Sequence, residues 1–155
     1  MKLTTKGRYA IIAMVDLAIN GTHETVPLKD ISHRQNISLS YLEQLFSKLR
    51  LSGLVKSIRG PGGGYMLNRT SSDLNLLDII TAVDEKIDQT QCGGAMNCIN
   101  DKPCLTHFIW TDLNNRINEY MREITLNDIT LRKDVQSIIF LRENKNVRSN
   151  HRSEK

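Results

Sequence analysis

Residues 38–67 read SLSYLEQLFSKLRLSGLVKSIRGPGGGYML, and two patterns abut inside them. From about Ser38 to Leu51 the apolar residues Leu42, Leu45, Phe46 and Leu49 fall on one face of a helix turning about 100° per residue. Ser40, Gln44 and Ser47 lie opposite, with Glu43 at the edge of that polar face. Behind this helix, Leu54–Arg59 and Tyr65–Leu67 read as short strands, joined by Gly60-Pro61-Gly62-Gly63-Gly64. Ahead of it, Pro27 opens a short helix over LKDISHRQN that faces inward through Leu28 and Ile31, and Asn36-Ile37-Ser38 makes the turn. Two short helices, a tight turn, a polar N-terminal face on the second helix and a glycine-tipped hairpin predict a winged helix-turn-helix.

The chemistry of those faces points to DNA. Gln44 can bond adenine with both ends of its amide, and Glu43 can accept from cytosine N4. Glu43 has a competing structural role, a capping box with Ser40 in the pattern S-x-x-E, and the sequence leaves both open. The glycine tip lets backbone approach phosphates, and Arg59 at its shoulder suits a narrow minor groove. A nucleotide-phosphate loop is discounted, because no G-K-[ST] follows and no long helix opens there. Charge agrees with a basic partner-binding half: residues 1–70 hold ten Lys/Arg against four Asp/Glu, the remainder eleven against thirteen, within a net +4. A solvated surface would give the same count.

Outward from the hairpin, residues 5–20 (TKGRYAIIAMVDLAIN) form a helix that is apolar nearly all round, stopped at Asn20-Gly21. A helix without a polar face is buried on two sides. Residues 73–83 (DLNLLDIITAV) predict a further short helix that leads into a different kind of segment.

That segment is C-GGAMN-C-INDKP-C-LT-H, residues 92–107, which contains all three cysteines of the chain. Thiolates and a neutral imidazole are ligands for soft or borderline metals and for iron–sulfur clusters. Glycine, asparagine and aspartate make the span pliable, and little apolar material is present to bury a thiol against. A helix starting near Pro103 would put Cys104 and His107 on one face. Structural zinc usually shows a tight cysteine pair with about 2–4 intervening residues, which is missing here, so five-residue gaps favour a larger core. A [2Fe–2S] core held by Cys92, Cys98, Cys104 and His107 takes all its ligands from one chain; a [4Fe–4S] core with an outside ligand, or zinc, stays open.

After the loop, Trp110, Leu113, Ile117, Tyr120 and Ile124 recur at steps of 3, 4, 3 and 4, a seam fitted to a dimer helix or to the chain's own first helix. Thr125–Val135 reads as a cap and a final short helix. The expected organisation is therefore a DNA-binding domain over 1–83, a cluster-binding loop over 84–107, a dimerisation helix and cap over 105–135, and a disordered tail over 144–155. With 39% apolar and 25% charged residues this is an ordinary globular composition. An odd count of three cysteines argues against a secreted disulfide framework. Residues 9–15 (YAIIAMV) imitate a signal peptide, but Asp16 cuts the run short of a bilayer's span and no small-residue cleavage site follows. The expectation is a cytoplasmic, non-membrane protein, and nothing in the sequence marks an enzyme's substrate pocket.

The start MKLTTKGRYAIIAMVDLA, the block ISLSYLEQLFSKLR followed by SGLV and RGPGGGY, and the C-x5-C-x5-C-x2-H loop together resemble the iron–sulfur cluster regulators of the bacterial winged helix-turn-helix regulator family. The likeness covers roughly residues 1–135. It implies a [2Fe–2S] cluster on Cys92, Cys98, Cys104 and His107. It also implies base contacts from Ser40, Glu43 and Gln44 in the major groove, and Arg59 in the minor groove. It implies a homodimer on double-stranded DNA operators, loaded by cluster-assembly machinery. Such a regulator represses cluster-assembly genes when cluster-bound and acts at other promoters when cluster-free. A nitric-oxide-sensing [4Fe–4S] repressor would share the fold; His107 argues against it.

Overall fold

In the computed structural model, which describes residues 3–150, the apolar start of the chain becomes α1 (Thr5–Asn20). Ala10, Ala13, Met14 and Leu17 on it are fully buried, and the small alanines let neighbouring elements approach closely. One polar group is buried with them. Asp16 accepts from Arg34 Nη2 at 2.6 Å and from Gln35 Nε2 at 2.6 Å, a bond set that clamps α1 to the next helix. Buried charge is tolerated only when paired in this way.

That next helix, α2 (Leu28–Gln35), ends at Asn36, which takes the left-handed conformation at φ 53. Asparagine tolerates that region better than most side chains. Ser38 then caps α3 (Leu39–Leu51), its hydroxyl accepting from Tyr41 N–H at 3.3 Å. Ser40 stands inside the helix, so the cap is made two residues earlier than the capping-box alternative required. Leu42, Leu45, Phe46 and Leu49 are all buried.

The hairpin follows as β1 (Val55–Ile58) and β2 (Gly64–Leu67), antiparallel and in the register Val55↔Leu67 to Ile58↔Gly64. Val26, just before α2, adds an isolated bridge that the sequence did not announce: it exchanges bonds of 2.8 and 2.9 Å with Tyr65. A Cβ on Gly64 would lie 2.6 Å from the Val26 carbonyl carbon, so glycine is required for this approach. Tyr65 meets Phe46 edge to face at 4.9 Å, which fixes wing against recognition helix. The architecture is mainly α with a β-hairpin wing, a winged helix-turn-helix followed by a long helix.

The helix expected over 73–83 is divided. A single 3-10 turn (Ser71–Asp73) precedes an extended Leu74, and α4 (Leu76–Ala82) starts only after Asn75 caps it. The break lets the chain pair with a distant segment: Leu126 N–H donates to the Leu74 carbonyl at 2.9 Å and Leu76 N–H to Ile124 at 3.0 Å. The long helix α5 (His107–Glu123) packs on α4, and α6 (Leu126–Leu131), with a Thr125–Asp128 capping box, returns buried Leu126 to the core beside α1.

The C-terminal expectation needs correction. The cap and short helix expected over 125–135 form, as Thr125 and α6, but they do not end the fold: α7 runs over Lys133–Asn150, helical through the region from Asn144 where disorder was expected. No glycine or proline interrupts it, and Asp134 sits favourably in its first turn. Residues 151–155 of that expected tail lie outside the described residues.

Candidate metal centre and nucleic-acid interface

The five-residue gaps between cysteines have a backbone explanation. Gly93 and Gly94 take φ 61 and 81, and Ala95 N–H closes back on the Cys92 carbonyl at 3.1 Å. Asn100 and Asp101 take φ 48 and 59, and Ile99 and Lys102 exchange bonds of 3.0 and 2.9 Å. Each is a turn with two consecutive left-handed residues, the geometry that glycine, asparagine and aspartate permit. The first turn folds under Cys92. The second returns the chain so that Cys104 meets Cys98 through both its backbone N–H and its thiol.

Into this loop α5 delivers its first residue. His107 is the only buried residue of that helix, and its Nδ1 lies 3.5 Å from Cys92 Sγ and 3.6 Å from Cys98 Sγ. The potential ligand atoms of Cys92, Cys98 and His107 lie within 4.8 Å of one another. Cys104 stands outside this triple, its Sγ 3.7 Å from Thr106 Oγ1, yet it lines the same cavity of about 400 Å³ with Cys98, His107, Thr90 and Trp110. The expected helix from Pro103 does not form. A turn closed by His107 N–H on the Cys104 carbonyl at 3.1 Å comes first, and helical bonding starts with Trp110 on Thr106.

Thr111, one turn along α5, sets the imidazole. Its hydroxyl donates to the His107 carbonyl at 3.0 Å, so towards His107 Nε2, 3.4 Å away, it can only accept. With the proton on Nε2, facing this oxygen, the Nδ1 lone pair faces the thiols, the form a metal ligand needs.

The thiols differ. Partial burial opposes the Cys92 thiolate, but bonds from Cys98 and from Met96 and Gly94 N–H outweigh it and bring its thiol down from 9.0 to about 6. Cys104 is also lowered, by the Thr106 hydroxyl and backbone. Cys98 is raised: the Cys104 N–H favours its thiolate, but its bond to Cys92, burial and the Cys104 thiol outweigh that. Two easily ionised thiols, a third between them and an imidazole form a donor set suited to a soft metal or an iron–sulfur core.

On the other side of the molecule's chemistry, Ser40, Glu43 and Gln44 are all exposed on the first turns of α3, and Arg59 is exposed beside Gly60 at the wing. Lys48, one turn beyond Gln44, pairs with Asp84 at 2.6 Å. Asp84 is left-handed at φ 56, its carbonyl accepts from Lys6 at 3.0 Å, and buried Glu85 accepts from Thr4 N–H at 3.0 Å and from the Thr4 hydroxyl. The first residues of the cysteine loop are thus fastened to the start of α1 and to the flank of α3. Sequence reasoning missed this joint, since single charges far apart in the chain carry no spacing signal; it also missed Thr111, whose place four residues after His107 was the available signal.

On α5, Phe108, Ile109, Trp110, Leu113 and Tyr120 are exposed. No helix among the described residues is long and apolar enough to cross a membrane.

The family model Rrf2, an iron-dependent transcriptional regulator, matches residues 3–132. The HTH-type transcriptional regulator IscR of Vibrio atlanticus is 53% identical over 138 residues, 89% of this chain and 80% of that protein. The regulator of the same name from Escherichia coli O1:K1 / APEC is 50% identical over 138 residues, 89% of this chain and 85% of that one. Among solved structures, T. potens IscR superposes with a TM-score of 0.67 at 38% identity, covering 83% of this chain and 85% of its own. CymR, the global cysteine regulator of B. subtilis, superposes with a TM-score of 0.72 at 34% identity, covering 83% and 95%.

Proposed function

The chain belongs to the Rrf2 family of iron-dependent transcriptional regulators, and from that premise we propose that it senses iron–sulfur supply through a [2Fe–2S] cluster on Cys92, Cys98, Cys104 and His107. It is a transcription regulator with a DNA-binding winged helix, not an enzyme. In the cluster-bound form it represses the genes of cluster assembly, and in the cluster-free form it acts at other promoters. Ser40, Glu43 and Gln44 read bases in the major groove, while Arg59 enters the minor groove. The exposed seam of α5 joins two copies, so the operators have approximate two-fold symmetry. The protein works in the cytoplasm, loaded by the cluster-assembly machinery.

The observation that carries the cluster reading is the convergence of Cys92 Sγ and Cys98 Sγ on His107 Nδ1 at 3.5 and 3.6 Å, with Cys104 on the same cavity. Bound there, such a cluster would supply a redox-labile group that is lost or oxidised more readily than a structural metal. One observation favours a second reading. A sulfur and a nitrogen on a single tetrahedral ion are roughly 3.5 Å apart, so the Cys92–Cys98–His107 triple also matches three corners around zinc. Anaerobic purification separates the two. Brown protein with about two irons and two sulfides per chain, as for a [2Fe–2S] centre, supports the cluster. Colourless protein with one firmly held zinc per chain sinks it.

A further inference from the structure

Between Lys86 and Thr106 no residue is buried, so apolar packing does not decide where the Cys92 turn sits. A continuous chain of polar contacts does. Asn114 stands on α5 two turns beyond His107, on the same face as Thr111, and both ends of its amide are engaged by one loop segment. Its Nδ2 donates to Asp88 Oδ1 at 2.8 Å, and its Oδ1 accepts from Gln89 N–H at 2.8 Å. The same Asp88 oxygen accepts from Thr90 N–H at 2.7 Å and from the Thr90 hydroxyl at 2.6 Å. Thr90 Oγ1 accepts in turn from Gly94 N–H at 2.8 Å. Gly94 is the second left-handed residue of the turn that begins at Cys92.

The helix that supplies one ligand therefore also tethers the turn that supplies another. His107, Thr111 and Asn114 follow one another at helical spacing, so any displacement of the loop from that face must break the Asn114 bonds. We propose that Asn114 and Asp88 are positioning residues, which set the Cys92 turn against His107 before a metal arrives. The proposal rests on Cys92 and His107 being ligands. It assigns work to two residues that touch no metal, separated by 26 positions in the chain. Groups that orient ligands in this way typically change metal affinity about 10–100-fold when removed.

The test uses the full-length apo chain under anaerobic conditions, titrated with Co²⁺ and followed by thiolate-to-cobalt absorption. Asn114→Ala and Asp88→Ala should each bind Co²⁺ about 10–100-fold more weakly than the natural chain. Asp88→Asn keeps an oxygen able to accept the same three bonds and should bind as the natural chain does. Amide hydrogen exchange at Gly94 should be slow in the apo natural chain and in Asp88→Asn, and fast in Asn114→Ala and Asp88→Ala. Natural cobalt affinity in Asn114→Ala overturns the proposal. So does weakened affinity with Gly94 still protected, and so does equal weakening in Asp88→Asn and Asp88→Ala, which would make charge the operative feature. Iron and sulfide content of the natural protein is an independent arm: protein lacking both sinks the cluster reading, while the cobalt comparison still decides the tether.

Discussion

The winged-helix region and the cysteine loop are built by different forces. From Ala10 to Val83 the chain buries an apolar core that includes Phe46, Leu42, Ile31 and Leu74, joined by Leu126 from the far side. The loop that follows buries nothing between Lys86 and Thr106 and depends on turns, carboxylate–amide bonds and thiol contacts. Apolar burial is indifferent to ligands, whereas a segment held by exposed hydrogen bonds is marginal without them. The reading head is therefore complete in every state of the loop, and the loop, pre-set only by polar contacts, is the part that a bound ligand can reinforce. A sensor needs that asymmetry: one part must stay folded while the other responds.

The comparison breaks most visibly at Phe46, fully buried and stacked edge to face on Tyr65. Phe46→Ala should cost about 3–5 kcal/mol, measured by denaturant unfolding of the apo chain. If the substitution costs under about 1 kcal/mol, the head is not held by its core and the contrast fails. A smaller effect belongs to the reading face. Gln44→Ala should lose about 1–3 kcal/mol at one base position and relax discrimination there, scored by site selection from a random DNA pool. Uniform loss across all sequences would mean that Gln44 supports the helix without reading DNA.

The sharpest test on the loop is thiol titration. In the folded chain Cys92 ionises near 6 instead of 9.0. Its contribution to apo stability is therefore complete above about pH 9 and lost as pH falls through about 6. Cys98 moves the other way. Alkylation of the apo protein should label Cys92 with a midpoint near pH 6, well ahead of Cys98. Parallel labelling of the two thiols would show that the loop is unstructured without its ligand.

Much of the head was legible because its signals are local. The period of Leu42, Leu45, Phe46 and Leu49 placed α3, and the glycine run placed the wing tip. What stayed hidden was non-local: the Val26 bridge to Tyr65, the division of the 73–83 helix by pairing with Ile124 and Leu126, and the Asp16–Arg34 clamp. The helix α7 was missed because scattered charges conceal its period. At the site, spacing pointed to Cys92, Cys98, Cys104 and His107, and the loop gathers Cys92 and Cys98 with His107. The sequence could not say that Cys104 would stand apart from that triple, since the direction of a side chain after a turn depends on the turn's own dihedrals.

The Lys48–Asp84 pair has a consequence for the ionic atmosphere of the complex. DNA carries condensed cations, and a protein cation that replaces one releases it to solvent, which makes binding salt-dependent. Lys48 already has a fixed counterion, a carboxylate 2.6 Å away. A phosphate that captures Lys48 frees one cation from the duplex but gives up the bond to Asp84, whose lone exposed carboxylate condenses no cation of its own. This lysine therefore keeps its share of the salt slope while adding less net attraction than an unpaired one.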